Sequence, residues 1–244
     1  MIAATTSLAS ASSTSPAESA GFNTGIAFTS DGQNIFLVNA NSNAVQEVSS
    51  HTGALVRVLG AKAYDFNFSL DIAVSGQDTF VTDLGGHAVT EFNTVTGALV
   101  RVLDAKSYGF SGPDGIAISG QDAFVASPGL TGAGAITEFN IVTGALVRVI
   151  NATTIDSTHP VFLAIDGHVG VAINGARTVV EFNTNTGALV RVLKSTKYGF
   201  NSGITSIVTR GRDALILNAT SQSITEINVA TGGLVRTLLF KFAH

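Results

Sequence analysis

Thr96-Gly97-Ala98-Leu99-Val100-Arg101-Val102-Leu103 is the stretch that decides the fold, because the chain writes it again and again. The same octapeptide starts at Thr52 and at Thr186, and at Thr143 it returns with Ile150 as its last residue. A fifth copy at Thr231 reads Thr-Gly-Gly-Leu-Val-Arg-Thr-Leu. Successive copies begin about 44 residues apart, and an internal period of that length is the mark of a propeller or another repeat architecture.

Working outward from the octapeptide, each unit parses into four short strands. In the third unit these are Gly115–Ile118, Ala123–Ala126, Ala135–Phe139 and Leu146–Ile150. Ser119-Gly120-Gln121-Asp122 and Asn140-Ile141-Val142-Thr143-Gly144 separate them, with the Gly, Asn and Asp chemistry that tight turns favour. Four strands of roughly 5–6 residues with their turns fill a unit of this length, and no segment of helical length and period interrupts it. The reading is an all-β chain of five four-stranded blades. The repeats run over about 21–60, 61–104, 105–151, 152–194 and 195–240 of one domain, 21–244, after an Ala/Ser/Thr-rich tail, 1–20.

One four-stranded unit cannot bury two apolar faces by itself, so the units must stack face to face. Phe92, Val100 and Val102 alternate with Val89, Leu99 and Leu103, which predicts strands sandwiched on both sides. Radial closure leaves only short edges, whereas a linear stack needs polar caps. The last unit ends in Leu238-Leu239-Phe240-Lys241-Phe242, a poor cap, so the sequence favours a ring.

Composition narrows the function classes. Only 12% of residues are charged, mean hydropathy is +0.37 and net charge is −4, with no cluster of Lys or Arg. Nucleic-acid binding needs a basic face, so none is expected. No apolar run reaches the roughly 20 residues of a membrane-spanning helix. Without cysteine there are no disulfides and no thiolate metal sites. No Lys or Arg precedes Arg57, so the basic start of a secretory signal is missing; the chain stays where it is made, or it is a fragment that has lost a leader.

Residues 109–117, Gly-Phe-Ser-Gly-Pro-Asp-Gly-Ile-Ala, then Phe124-Val125-Ala126 and Ile136-Thr137-Glu138-Phe139-Asn140, resemble the NHL/YVTN class of bacterial β-propeller repeats. The resemblance covers residues 21–240. It implies a propeller used mainly as a binding or scaffolding module, often secreted or otherwise outside the cytoplasm, with a minority of lyases and other enzymes. Such rings more often carry six to eight blades. Five copies therefore leave two arrangements open: a five-bladed ring, or an arc completed by another chain or by further sequence, in which case an oligomer is expected. WD and kelch propellers fit worse, since the chain has no Trp.

Two recurrences invite a chemical reading. Glu47/Arg57, Glu91/Arg101, Glu138/Arg148, Glu181/Arg191 and Glu226/Arg236 are each ten residues apart, on the third and fourth strands of their units. At that offset they face each other across a hairpin, as structural ion pairs. The second recurrence follows the second strand: Asn39, Asp83, Ser127, Asn174 and Asn218, with Asn43, His87, Arg177 and Gln222 later in the same loops. In a radial array these loops form a polar collar at the channel mouth, a place for a protein, peptide or glycan ligand. The competing reading is turn-building, because Asn, Asp and Ser side chains accept backbone hydrogen bonds in tight loops.

The remaining signals are thin. Ser75-Gly76-Gln77-Asp78 and Ser119-Gly120-Gln121-Asp122 offer one Asp each, too few for calcium. The five histidines show no zinc spacing, and no Gly-x-Ser-x-Gly elbow occurs, so neither metal nor cofactor is expected. The fourth unit is the most divergent, around Asp156–Phe162. Asn67, Asn151 and Asn218 head Asn-x-Ser/Thr triplets. The leading reading is a non-catalytic binding scaffold. The alternatives are a metal-assisted lyase or hydrolase using Asp83, His87 and His159 at the channel mouth, and a self-assembling structural repeat.

Overall fold

In the computed structural model the described residues are 23–130, 134–155, 157, 159–175, 178–200 and 203–240. The expected tail, 1–20, and Arg177 lie outside them. The chain is a five-bladed β-propeller of twenty strands, each blade a four-stranded antiparallel meander paired in chain order. Blade 1 holds β1 (Asn23–Phe28), β2 (Asn34–Asn39), β3 (Ala44–Ser49) and β4 (Leu55–Gly60). Blade 2 holds β5 (Ser69–Ser75), β6 (Asp78–Asp83), β7 (Ala88–Asn93) and β8 (Leu99–Asp104). Blade 3 holds β9 (Ile116–Ser119), β10 (Asp122–Ser127), β11 (Ala135–Asn140) and β12 (Leu146–Asn151). Blade 4 holds β13 (Pro160–Asp166), β14 (Val169–Asn174), β15 (Thr178–Asn183) and β16 (Leu189–Lys194). Blade 5 holds β17 (Ile204–Arg210), β18 (Asp213–Asn218), β19 (Ser223–Asn228) and β20 (Gly233–Leu239).

Each blade's first strand faces a central channel and its fourth strand lies on the perimeter. One-turn helices lead from one blade to the next: α1 (Ala61–Tyr64), α2 (Ala105–Tyr108) and α3 (Ser195–Tyr198), with a 3₁₀ turn at Ala152–Ile155. Their tyrosines act across the interface. The hydroxyls of Tyr64, Tyr108 and Tyr198 donate to the carbonyls of Gly97, Gly144 and Gly232, in the outer turns of the following blades. Those glycines have φ near +70°, a conformation that turns reserve for glycine. Blade 3 has Ile155 at the tyrosine position and packs it as a fully buried apolar plug instead.

The core is not one body but four clusters, each filling the space between consecutive blades. A phenylalanine on the second strand of one blade meets a phenylalanine on the third strand of the next. Phe36 meets Phe92, Phe80 meets Phe139 and Phe124 meets Phe182, with ring centroids 5.5–6.2 Å apart. Tilted and edge-on pairs of this kind add about 0.5–1.5 kcal/mol beyond the area they bury. At the fourth interface Val171 and Ile227 take the place of the aromatic pair.

The five Glu and Arg side chains meet in every blade, with Nε to Oε2 distances of 2.6 Å in blade 3 and 3.1 Å in blade 4. In blades 1–4 the arginine also crosses to the next blade. Arg57 donates to the Thr94 and Val95 carbonyls, Arg101 to Ile141, Arg148 to Asn185 and Arg191 to Ala230. The guanidinium therefore joins a buried carboxylate to the neighbouring blade's outer turn.

Two expectations need correction. The fourth strands are not sandwiched: Leu99, Val100 and Val102 of β8 are exposed, as are their counterparts in the other blades except Val192, which is half-buried. Blades splay apart with distance from the axis, so on this strand the neighbouring sheets cover Leu103 and its counterparts but leave the preceding apolar residues in water. The second correction concerns closure. Among the described residues no apolar cluster joins blade 5 to blade 1. Leu238 is 39% exposed, whereas Leu59, Leu103, Ile150 and Leu193, two residues after their own arginines, are 3–5% exposed. At the other end Ile26 is 63% exposed, against 4–7% for Ile72, Ile116 and Leu163 at the same place in their blades. Among the described residues the last blade is not packed onto the first as the inner blades are packed onto one another.

The difference between inner and terminal ion pairs is measurable. Arg101→Ala strands the buried Glu91 carboxylate and an interface carbonyl, and should cost about 3 kcal/mol. Arg236→Ala removes an arginine that is 59% exposed and, among the described residues, bonds only Glu226, so it should cost less, about 1 kcal/mol. Urea denaturation of the two variants in dilute solution should place their midpoints in that order.

Candidate functional site

The inner strands enclose a cavity of about 780 Å³, walled by Ile26, Leu70, Ile72, Ile116, Phe162, Leu163 and Ile207 and carrying two carboxyl groups, Asp71 and Asp114. These positions fall in the first halves of the inner strands. That end pairs with the ends of the second strands, as in Ser69 opposite Asp83 and Ile204 opposite Asn218.

Both carboxyls are placed by the junction between blades 2 and 3. The regular pairing of β5 is interrupted between Ser69 and Ile72, and Asp71 sits in that irregularity. Its Oδ1 accepts from Ile72 N at 2.9 Å and its Oδ2 from Ile116 N of blade 3 at 3.0 Å. Asp71 N donates to Thr82 Oγ1, and the Thr82 hydroxyl donates to the Asp114 carbonyl at 2.6 Å. Burial pushes the Asp71 carboxyl up to about 6, against the pull of the two backbone N–H donors. Burial also pushes Asp114 up to about 7, with repulsion from Asp71 adding to the shift. At neutral pH the channel therefore holds between one and two negative charges in an apolar wall.

The described residues of the collar proposed from sequence sit at the ends of the second strands and in the loops that follow, none of them lines this cavity, and the structure gives most of them work in building those loops. Asn39 Oδ1 accepts from Asn41 N and Ser42 N, and Asn218 Oδ1 from Ser221 N. Asp83 accepts from Gly86 N and, through Oδ2, from Asn67 N; burial raises its pKa ahead of those lowering contacts. Asn174 Oδ1 accepts from His159 N, and Ser127 is fully buried. The second set lies at positive φ: Asn43, His87 and Gln222 at 49–51°. From there Asn43 Oδ1 accepts from Phe68 N and His87 Nδ1 from Gly112 N, each on the lead-in to the next blade. The asymmetry seen in sequence thus includes two stitches between blades. Asp83 and His87 share one loop, while His159 lies exposed beside β14 of blade 4. Among the described residues no three His, Asp or Glu side chains gather as a metal site would require.

Asp71 and Asp114 were missed because they recur in no other blade. Asp114 stands in the Ser-Gly-Pro-Asp-Gly run already noted, and Asp71 in an otherwise apolar strand, Ser-Leu-Asp-Ile-Ala-Val-Ser. A lone acid in an inner strand was the available signal.

The raised acids set a pH dependence with a definite sign. Asp114 has a folded value near 7 and an ordinary unfolded value, so between about pH 4 and 7 the folded chain binds more protons and its stability falls as pH rises. Asp114→Asn should therefore raise the melting temperature at pH 8 and leave it unchanged below the ordinary carboxylate range of about 4. Thermal melts of both proteins across pH check this.

No family model matches the chain, and no curated protein matches it. Solved structures do. The computationally designed protein Ika8 aligns with TM-score 0.64 at 19% identity, over 88% of this chain and 61% of its own. A chain of the nidogen/laminin complex aligns with TM-score 0.72 at 15% identity, over 91% and 81%. Hydrazine synthase of Kuenenia stuttgartiensis aligns with TM-score 0.68 at 18% identity, over 92% and 68%. The chain thus spans about three fifths of the designed protein. Likeness at these identities establishes the fold, a β-propeller, and nothing narrower.

Proposed function

We propose that the protein is a non-catalytic binding scaffold of the kind the NHL/YVTN resemblance implies, and that its ligand enters the channel from the face carrying the second-strand loops. The observation that carries this reading is the cavity itself: apolar walls with two carboxyls on one side. A concave, mostly apolar recess with a few convergent polar groups is the usual form of a ligand site. Its chemistry suits a peptide that presents a lysine or arginine side chain, whose stem lies along Leu70, Ile116 and Phe162 while its cation meets Asp71 and Asp114. The polar residues already committed to the loops, Asn39, Asp83, Asn174 and Asn218, hold the rim in shape. Asn43, His87 and Gln222 complete the collar around the entering ligand.

A peptide array of lysine- and arginine-containing sequences tests this against glutamine-substituted controls. Binders should bind more tightly at pH 8 than at pH 5, because both channel acids ionise between those values. Asp71→Leu combined with Asp114→Leu should abolish that binding. Hits that ignore both acids, or an array without hits, would remove the channel as the site.

A further inference from the structure

The two end blades carry matching unfinished halves of the interface that the chain makes four times internally. On blade 5 the unfinished half faces forward. Arg236 is 59% exposed at its side chain, against 23–28% for the other four, and among the described residues it bonds only Glu226. Val208 occupies the place of Ala27, Ala73 and Ala117, which pack against the next blade, and it is more than half exposed. Leu215 stands where Phe36, Phe80 and Phe124 are fully covered, and it is only half-buried.

On blade 1 the unfinished half faces backward. Phe28 is 60% exposed, where Val74, Ile118 and Ile165 pack against the preceding blade. Val48 is half-buried where Phe92, Phe139, Phe182 and Ile227 are fully buried. In its outer turn the Ser50 and His51 carbonyls stand where Thr94, Val95, Ile141, Asn185 and Ala230 receive an arginine. The space over Gly97, Gly144 and Gly232 is filled by that arginine's guanidinium, and Gly187 meets Ile150 and the Arg148 stem. Among the described residues nothing lies within 4 Å of the same point over Gly53.

From this we infer that blade 5 of one copy docks on blade 1 of a second copy of this chain, head to tail. Arg236 then donates to the Ser50 and His51 carbonyls, Leu215 meets Val48, and Phe28 is covered. The occupant is a second copy because each half is the complement of the other, in both apolar shape and hydrogen bonding. Such a contact is heterologous: it uses two different surfaces and leaves one of each free, so it propagates until a ring closes or a filament grows. It does not depend on the channel binding proposed above.

Sedimentation velocity of the full chain should show mass rising with concentration from one copy through two to larger assemblies. Val208→Asp spoils only the blade 5 end and Phe28→Asp only the blade 1 end. Each variant alone should remain a monomer, and their equimolar mixture should form a dimer that grows no further. Far-ultraviolet circular dichroism and melting of each variant check folding. If either aspartate variant fails to fold, the lysine versions of both are used instead. A wild-type monomer at all concentrations overturns the inference, as does either single variant pairing with itself or assembling like the wild type. Peptide binding by the Phe28→Asp monomer separates this outcome from the channel proposal, since Phe28 does not line the channel.

Discussion

The interaction on which the structure depends is an arginine shared between blades. Each Glu carboxylate is buried between sheets, where a lone charge would be costly, and the arginine beside it neutralises it while staying partly in water. Its remaining donors cross to a turn whose carbonyls point back toward it. One side chain thereby sets the pairing of strands three and four and the approach of the next blade. Glu181 shows the balance closely: its Arg191 contact is the longest of the five, burial prevails, and its carboxyl is pushed up to about 7.

Much of the architecture was legible in the residues because the repeat states it five times. Leu-Val-Arg-Val-Leu could only be an edge hairpin strand once Glu and Arg were seen ten apart. The apolar alternation of Leu99, Val100 and Val102 misled for a geometric reason. Periodicity reports which residues share a face, but not how far blades splay from one another at that radius. The state of closure was illegible for a related reason, since it depends on the angle accumulated over four interfaces and no single residue encodes an angle.

The candidate site was read only in part. The loops after the second strands carry the expected collar residues, but Asn39, Asp83 and Asn218 spend their acceptors on backbone N–H groups. Such residues look alike in sequence whether they serve a turn or a ligand. Asp71 and Asp114 carry the more unusual electrostatics and were passed over because they break the repeat rather than belong to it. In a repeat protein the departures locate function better than the recurrences, and His87, which stitches to Gly112, shows that a departure can also be structural.

Four separate apolar clusters, rather than one central core, give the molecule the energetics of a short one-dimensional array. Each blade is stabilised by the two it touches, and the outermost by one. On that footing opening should begin at blades 1 and 5 and work inward, with blades 2 and 3 held longest by their aromatic contacts on both sides. The same arrangement lets the chain fold in the order of its synthesis, each new sheet finding a finished surface to condense upon before the next has emerged.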